Sequence, residues 1–535
     1  MLGRRSRQIT LADVDGWQDR IPVKSVWYRM RAWSEAHLND DAFAGWFATN
    51  GRPSVPPSYM VTLLLLQVRQ GWSDRDAVEA AMFDDRVKYA LGTGRMPEVR
   101  CDHTTLVHYR TRFLDTGLGR QLLSETLHEA ADAGLLGNDE DLVDSFPIVG
   151  AAARQSTHVL IYRAIGRVLV EVQEAGVTPP ALVRQDYGQH RKPAIAWRED
   201  AQRQVLLEEL VADGRALVAF FPKDEEGKVP AALRSAVDLL ALVVEQDITT
   251  DAEGRVVIAH KTAPDRILSI VDPQMRHGRK TSSQKFNGYK GHVLVQNGAP
   301  DGAHMVTAAV ASAANVGDGE MLAALLMERE ALTGAMPQQV QGDTAYGSMA
   351  VRDQAAEVAP ETKVEAPVPP SNGVGGRFAK TAFAIDTEAR TVTCPEGNTI
   401  GYQAKATIPA HKTTQQVHFP AAMCTACPLR ERCVGGKGGR SVTIQAEEAR
   451  IQKERERQAT PEWQSHYRER SRVEHANQRL CRHGARQAHG LGEAKVGLQL
   501  QMASVVANIE EMARVTGGTP PGRQTFRPQC PQVAA

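Results

Sequence analysis

The stretch DEDLVDSFPIVG, residues 139–150, decides the fold. The chain before it reads as helix. Here it turns to apolar, β-branched and aromatic residues with an acid in their midst. Leu142, Val143, Phe146, Ile148 and Val149 around Asp144 predict a short buried strand. A carboxylate buried there without a partner is costly, so Asp144 implies a cation or a hydrogen-bond network nearby.

Upstream, residues 10–135 read as closely spaced amphipathic helices. SYMVTLLLLQVRQGW (58–72) is expected to start at a Ser58 cap, and SDRDAVEAAMFDDRVKYALG (73–92) at a Ser73 cap. CDHTTLVHYRTRFLDTG (101–117) gives a third capped helix. Such helices suit a helix-turn-helix-like bundle and a plain packing domain equally well. Downstream, residues 155–250 read as helical. RVVIAH (255–260), RILSIVDP (266–273), NGYKGHVLVQ (287–296) and HMVTAAVA (304–311) read as strands. GEMLAALLMEREALTG (319–334) is a helix, and PQQVQGDTAYGS (337–348) a strand, a turn and a helix start. Residues 355–445 are irregular and carry cysteines, 446–515 are helical, and 516–535 read as a disordered tail. The order predicts an all-α N-terminal domain over 1–135. A mixed α/β core over 136–515 follows, interrupted by a helical insert at about 155–250 and a Cys-containing insert at about 355–445.

The 535 residues carry 63 Lys and Arg against 63 Asp and Glu, so total charge announces no nucleic-acid partner. Between Arg430 and Lys495, however, fifteen cations face nine acids. A local excess of that kind acts locally, because salt screens the field within about 10 Å. No run reaches the roughly 18 apolar residues of a membrane span, and MLGRRSRQIT lacks the apolar centre of a secretory signal. The uneven spread of seven cysteines argues against a secreted disulfide framework and predicts a reducing cytoplasm.

Three acids stand at the ends or middles of these elements: Asp144, Asp343 in QGDTAYGS, and Glu474 in YRERSRVEHANQRL (467–480). Phosphodiester chemistry with two divalent ions needs carboxylates that converge on ions about 3.5–4 Å apart. Hard oxygen ligands suit Mg²⁺ or Mn²⁺. Tyr467, Arg470 and Glu474, spaced by three and four residues, share one helical face. An arginine there can fork a phosphate beside a metal-bound glutamate. The same spacing also describes an exposed helix laced with charge pairs.

Together these segments, from about residue 20 to 515, resemble the DDE transposases of bacterial insertion sequences, in the branch with a helical N-terminal domain. Tyr467, Arg470 and Glu474 match the family's Y-x2-R-x3-E-x6-K motif in register, while Cys481, with Arg482 beside it, occupies the lysine position. QGDTAYGS is similar to the block around the second catalytic aspartate, and LVDSFPIVGAAA to the block around the first. RILSIVDPQMRHGRKTSSQKFNGYKGHVLV resembles the segment between them, and GRPSVPPSYMVTLLLLQVRQGWSDRDA and DHTTLVHYRTRF the N-terminal helical block. The resemblance implies an RNase H-like catalytic core and two Mg²⁺ ions on Asp144, Asp343 and Glu474. It implies cut-and-paste strand transfer at terminal inverted repeats, with Arg482 as a stand-in for the motif cation. A homodimer on double-stranded DNA follows from the need to hold two ends. Residues expected to meet DNA are Tyr467, Arg470, Lys290, Lys280 and Arg482, with Arg276, Arg279, Lys285, Arg472, Arg479 and Arg486 around them. A catalytically silent DNA-binding descendant and a nuclease that does not join strands are the rival readings.

Cys394, Cys424, Cys427 and Cys433 give C-x29-C-x2-C-x5-C. The CTAC pair has the spacing with which two thiolates grip one tetrahedral Zn²⁺. The rest of the pattern is irregular, so His411 and His418 are candidate substitutes, and unliganded thiols the alternative.

Overall fold

Helices α1 (Val26–His37), α2 (Pro57–Gln70), α3 (Asp74–Phe83), α4 (His103–Thr116) and α5 (Leu118–Asp132), with a short helix Asp85–Ala90 after α3, open the chain. The computed structural model describes residues 1–5, 16–95, 101–188, 192–222, 229–261, 263–281, 283–298, 302–371, 373, 375–403 and 414–517. Helix α2 starts at Pro57, not behind a Ser58 cap. Proline at the first helical position has its φ preset and no N–H to leave unpaired. Ser58 lies inside the helix, and its N–H donates to Asp40 Oδ1 (2.8 Å). Ser73 does cap α3: its Oγ accepts from Asp76 N–H, and the Asp76 carboxylate accepts from Ser73 N–H.

His37 pins α1 to α5. Its Nδ1 lies 3.1 Å from Glu125 Oε1 and its Nε2 3.0 Å from Glu129 Oε2, with the ring 2% exposed. Burial opposes its charge, but the two carboxylates outweigh burial and lift its pKa to about 9. A pKa raised in the folded state gives stability that is fully present below the unfolded value of 6.5 and lost as pH rises through about 9. The gap corresponds to about 3 kcal/mol. Denaturant titrations from pH 6 to 10 should therefore lose stability on the alkaline side. His37→Gln should be weaker at pH 6 and should flatten that decline; an unchanged slope would remove His37 from the account.

The central sheet is built on β1 (Glu140–Val149). Its other strands are β2 (Arg276–Arg279), β3 (Lys285–Gln296), β4 (Val306–Ala313), β5 (Gln339–Gln341) and β6 (Lys363–Glu365). The order is β2–β3–β1–β5–β6, with β4 also paired to β3. Strand β3 pairs antiparallel with both β1 and β4, with Asp144 opposite Val293, while β5 and β6 run parallel to β1. RILSIVDP is not a strand. Ile267, Leu268 and Ile270 are buried, as an apolar run requires, but side-chain amides stand in for a ladder partner. Gln246 Oε1 accepts from Ile267 N–H and Gln155 Oε1 from Ile270 N–H.

Side chains alternate across the sheet. Leu142, Phe146 and Ile148 join the core shared with α1–α5 and the C-terminal helices. Val143 faces α9 (Leu322–Thr333) and α10 (Met349–Val358) on the other side. The helical insert packs α6 (Thr157–Glu174), α7 (Asp200–Phe220) and α8 (Ala231–Glu245) around a separate core. The cysteine-bearing region carries strands 384–386, 391–393, 399–401, 414–418 and 441–445 and its own small core. The helical stretch after residue 446 is broken into α11 (Glu448–Gln458), α12 (Pro461–Tyr467), α13 (Arg472–Leu480) and α14 (Glu493–Val515). A widened turn, Cys481–Ala485, follows α13, with Gly484 at φ 78°. No helix among the described residues is long and apolar enough to cross a membrane.

Candidate active site

Asp144 sits half-buried near the middle of β1. Asn477 on α13 donates its Nδ2–H to Asp144 Oδ2 (2.8 Å), which fixes α13 against the strand. Asp343 immediately follows β5, the parallel neighbour of β1, and its carboxylate caps the next turn through Ala345 N–H (2.8 Å). Burial lifts the Asp144 carboxyl to about 6; the nearby charges of Asp343 and Asp318 add to the rise, and Ser145 N–H and Arg470 oppose it. Tyr346 is buried in the same place, and its hydroxyl has no hydrogen-bond partner among the described residues. Burial, then Asp318, Asp144 and Asp343, push that hydroxyl's pKa up.

The structure thus groups Asp144 and Asp343 and adds Asp318, which sequence reasoning missed. The available signal was an acid in the GDGE turn directly behind a strand. Lys290, expected at DNA, is instead 14% exposed and braces Asp318 (2.7 Å) and Val316 O (2.7 Å). His292 of the same strand is wholly buried, its Nε2 2.8 Å from Ser312 Oγ; burial pushes its pKa down to about 4, so it is neutral at pH 7.

Glu474 projects from α13 one turn before Asn477, on the same helical face, and its side chain is 67% exposed. Arg470 reaches to 3.9 Å from it, and its guanidinium lies 6.0 Å from the centre of the Tyr467 ring, which stacks on Trp463 at 4.7 Å. Among the described residues, one set of three ligand-type side chains closes to within 4.8 Å: Glu140, His466 and Glu469. Asp144, Asp343 and Glu474 do not form such a set.

The Glu140 set lies at the other end of β1, four residues and about 13 Å from Asp144. His466 Nε2 lies 2.8 Å from Glu140 Oε1, and Gln339 Nε2 donates to the same oxygen (2.8 Å). Asn297 Nδ2 donates to Glu469 Oε2 (3.0 Å), and Arg472 Nη1 to Asn297 Oδ1 (2.8 Å). These bonds clasp the segment that carries Tyr467 and Arg470 to the sheet.

Cys394, Cys424, Cys427 and Cys433 line one small cavity with Phe378, Phe419 and Arg440. All are free thiols, and Arg440 N–H lies 3.5 Å from Cys424 Sγ. Burial lifts the Cys433 thiol, and the other three thiols add to the rise against Arg440. His418 is not among the lining residues; its Nδ1 pairs with Ser441 Oγ (2.8 Å). His411 lies outside the described residues. Lys280 and Arg482 are exposed, and Cys481 is half-buried.

Comparison with protein families gives two matches. A transposase domain (DUF772) matches residues 15–112, the N-terminal helices. A transposase DDE domain matches residues 393–513, which include the four cysteines and the Tyr467–Arg470–Glu474 face. Asp144 and Asp343 lie between the two matched regions. Among curated proteins and among solved structures there is no match. The chain thus carries matches to two transposase domains, and these are consistent with the DDE transposases of insertion sequences that its motifs resemble.

Proposed function

We propose that this transposase cuts DNA at the ends of an insertion sequence and joins those ends to a target, using an RNase H-like core formed by β1 and β3–β6. The observation that carries the reading is that Asp144 lies on β1 and Asp343 just beyond the end of its parallel neighbour β5, with α13 bonded to Asp144 through Asn477. Glu474 on that helix completes the acid set. A divalent pair of the Mg²⁺ or Mn²⁺ class fits this pocket, because Asp343 and Asp318 both disfavour the charge on buried Asp144 and the buried Tyr346 hydroxyl lacks a partner among the described residues. When bound, the ions would lower the pKa of the attacking water or 3′-hydroxyl and stabilise the leaving oxygen. Asn477 orients the Asp144 carboxylate. Arg470, steadied over Tyr467, offers a planar fork to the non-bridging phosphate oxygens. Lys290 holds Asp318 at the pocket wall.

The partners in this reading are double-stranded terminal repeats and target DNA, engaged by a homodimer in the bacterial cytoplasm at the nucleoid. The four cysteines would hold a structural Zn²⁺. Their sulfurs line one cavity but stand wider apart than a shared ion requires, so side-chain rotation must accompany binding. Metal analysis of protein purified without chelator should return about one zinc per chain, and the four-serine variant none.

The decisive assay supplies paired end duplexes, a target plasmid and Mg²⁺ or Mn²⁺. Joined products support transposition. Cut but unjoined ends favour a nuclease, and binding without either product favours a silent descendant.

A further inference from the structure

The end of β1 farthest from the catalytic acids carries contacts that hydrogen bonding cannot satisfy. Glu140 Oε1, His466 Nε2 and Gln339 Nε2 form a triangle with sides of 2.8, 2.8 and 3.0 Å. Each side has the length of a hydrogen bond, but the three atoms do not supply three donor–acceptor pairs. An ionised carboxylate oxygen only accepts. If His466 Nε2 carries a proton, it donates to Glu140 and meets the Gln339 amide nitrogen donor to donor. If it carries none, it accepts from Gln339 and sets its lone pair against the carboxylate. Turning the Gln339 amide over puts its oxygen against Glu140 instead. With Glu140 ionised, one side is repulsive in every assignment. A cation over the triangle removes the conflict, because it faces a carboxylate oxygen, an imidazole lone pair and, with the amide turned, a second oxygen. The lengths fit such an ion. Neighbouring ligands of a six-coordinate ion with bonds of about 2.1 Å stand about 3 Å apart, whereas those of a tetrahedral Zn²⁺ stand about 3.3 Å apart.

Glu469 supplies a fourth group, since its ligand atom and those of Glu140 and His466 all lie within 4.8 Å of one another. Asn297 Nδ2 donates to Glu140 Oε2 and to Glu469 Oε2 (3.0 Å), so one amide orients both carboxylates. Gln341 adds an observation independent of the triangle. It lies two residues from Gln339 on the same face of β5 and is wholly buried, and its Nε2 donates to His466 O (3.3 Å). Its Oε1 has no hydrogen-bond partner among the described residues. A buried acceptor beside the imidazole needs a donor, and a water carried by the ion is one. The His466 side chain is 40% exposed, which leaves the ion a route from solvent.

We propose that Glu140, His466, Glu469 and Gln339 bind one six-coordinate divalent ion of the Ni²⁺, Fe²⁺ or Mn²⁺ class, apart from both the acid pocket and the cysteines. The imidazole favours such an ion over Mg²⁺. It ties β1 and β5 to α12 and to the turn that carries Arg470. The site does not depend on the DNA-processing reading. Its test counts Ni²⁺ bound to the untagged full chain by calorimetric titration. His466→Gln and Glu469→Gln should each bind one Ni²⁺ fewer than wild type, and Asn297→Ala should hold that ion about tenfold more weakly or worse. Asp144→Asn should keep the His466-dependent ion. At about 100 times its Kd, Ni²⁺ should raise the melting temperature of wild type about 2–5 °C more than that of His466→Gln. Glu469→Gln carries the test if His466→Gln does not fold. Equal Ni²⁺ counts in folded wild type and variants overturn the site. A stability loss in the variants that is the same with Ni²⁺ and with chelator marks a hydrogen-bonded clasp only, and overturns it too.

Discussion

Asp144→Asn should reduce DNA cleavage and strand transfer by about 10³-fold or more, corresponding to about 4 kcal/mol of lost transition-state stabilisation. The amide has the shape of the carboxylate but one charge fewer, so it surrenders an anionic oxygen ligand while leaving β1 and its register intact. The fold should tolerate the change. Asp144 already sits where burial, Asp343 and Asp318 disfavour its ionised form. A neutral amide removes that repulsion, and its carbonyl oxygen can still accept from Asn477 Nδ2–H. Melting temperature in chelator should therefore not fall, and duplex binding should stay within about twofold, because the substitution touches none of the basic residues expected to meet the backbone. Asp343→Asn should behave alike. Wild-type product yield from folded Asp144→Asn in Mg²⁺ would remove Asp144 from the catalytic set and the proposed chemistry with it.

Arg329→Met should cost about 3–5 kcal/mol of stability, because it strands a buried carboxylate of the sheet. Arg329 on α9 and Asp141 on β1 are both 0% exposed, and Nε lies 3.2 Å from Asp141 Oδ2. Arg329 also donates to Thr333 Oγ1 (3.3 Å), to Gly137 O (3.2 Å), to Asn138 Oδ1 (2.9 Å) and to the Ala335 carbonyl. Burial already pushes the Asp141 pKa up against the pull of Arg329. Methionine has similar length but no donor, so Asp141 would keep Thr307 Oγ1–H (2.7 Å) and lose its cation. The double variant Arg329→Met/Asp141→Leu should recover most of the loss, because an apolar pair of similar volume leaves no charge stranded. Equilibrium denaturation of the single and double variants decides it. A single variant within about 1 kcal/mol of wild type would show that the pair is not holding α9 to β1.

Local sequence made some elements readable and left others closed. Ser73 could be recognised as a cap because its partner Asp76 stands three residues away and the bond is made within one turn. Ser58 could not be rejected as a cap, because the group that engages its N–H, Asp40, comes from another element. The alternation in NGYKGHVLVQ and HMVTAAVA marked β3 and β4. The equally apolar RILSIVDP misled, since burial without alternation does not say whether a strand or a side-chain amide will satisfy the backbone. The same limit applies to charge. Asp144 was singled out as the acid needing a cation, yet the fully buried carboxylate of β1 is Asp141, whose arginine lies 188 residues away in sequence.

By itself the chain carried its resemblance to the DDE transposases, most of its element types and three candidate acids. Those depend on residue type, on spacing within single elements and on motif order, all local properties. Tertiary structure alone decided which charges are free. Lys290 and Asp318, Asp141 and Arg329, Glu140 and His466 look no different in sequence from Lys280 and Arg486, which form no ion pair among the described residues. An ionic group's role is set by what lies within a few ångströms of it, and in a folded chain those neighbours come from distant segments whose approach only the packed core fixes.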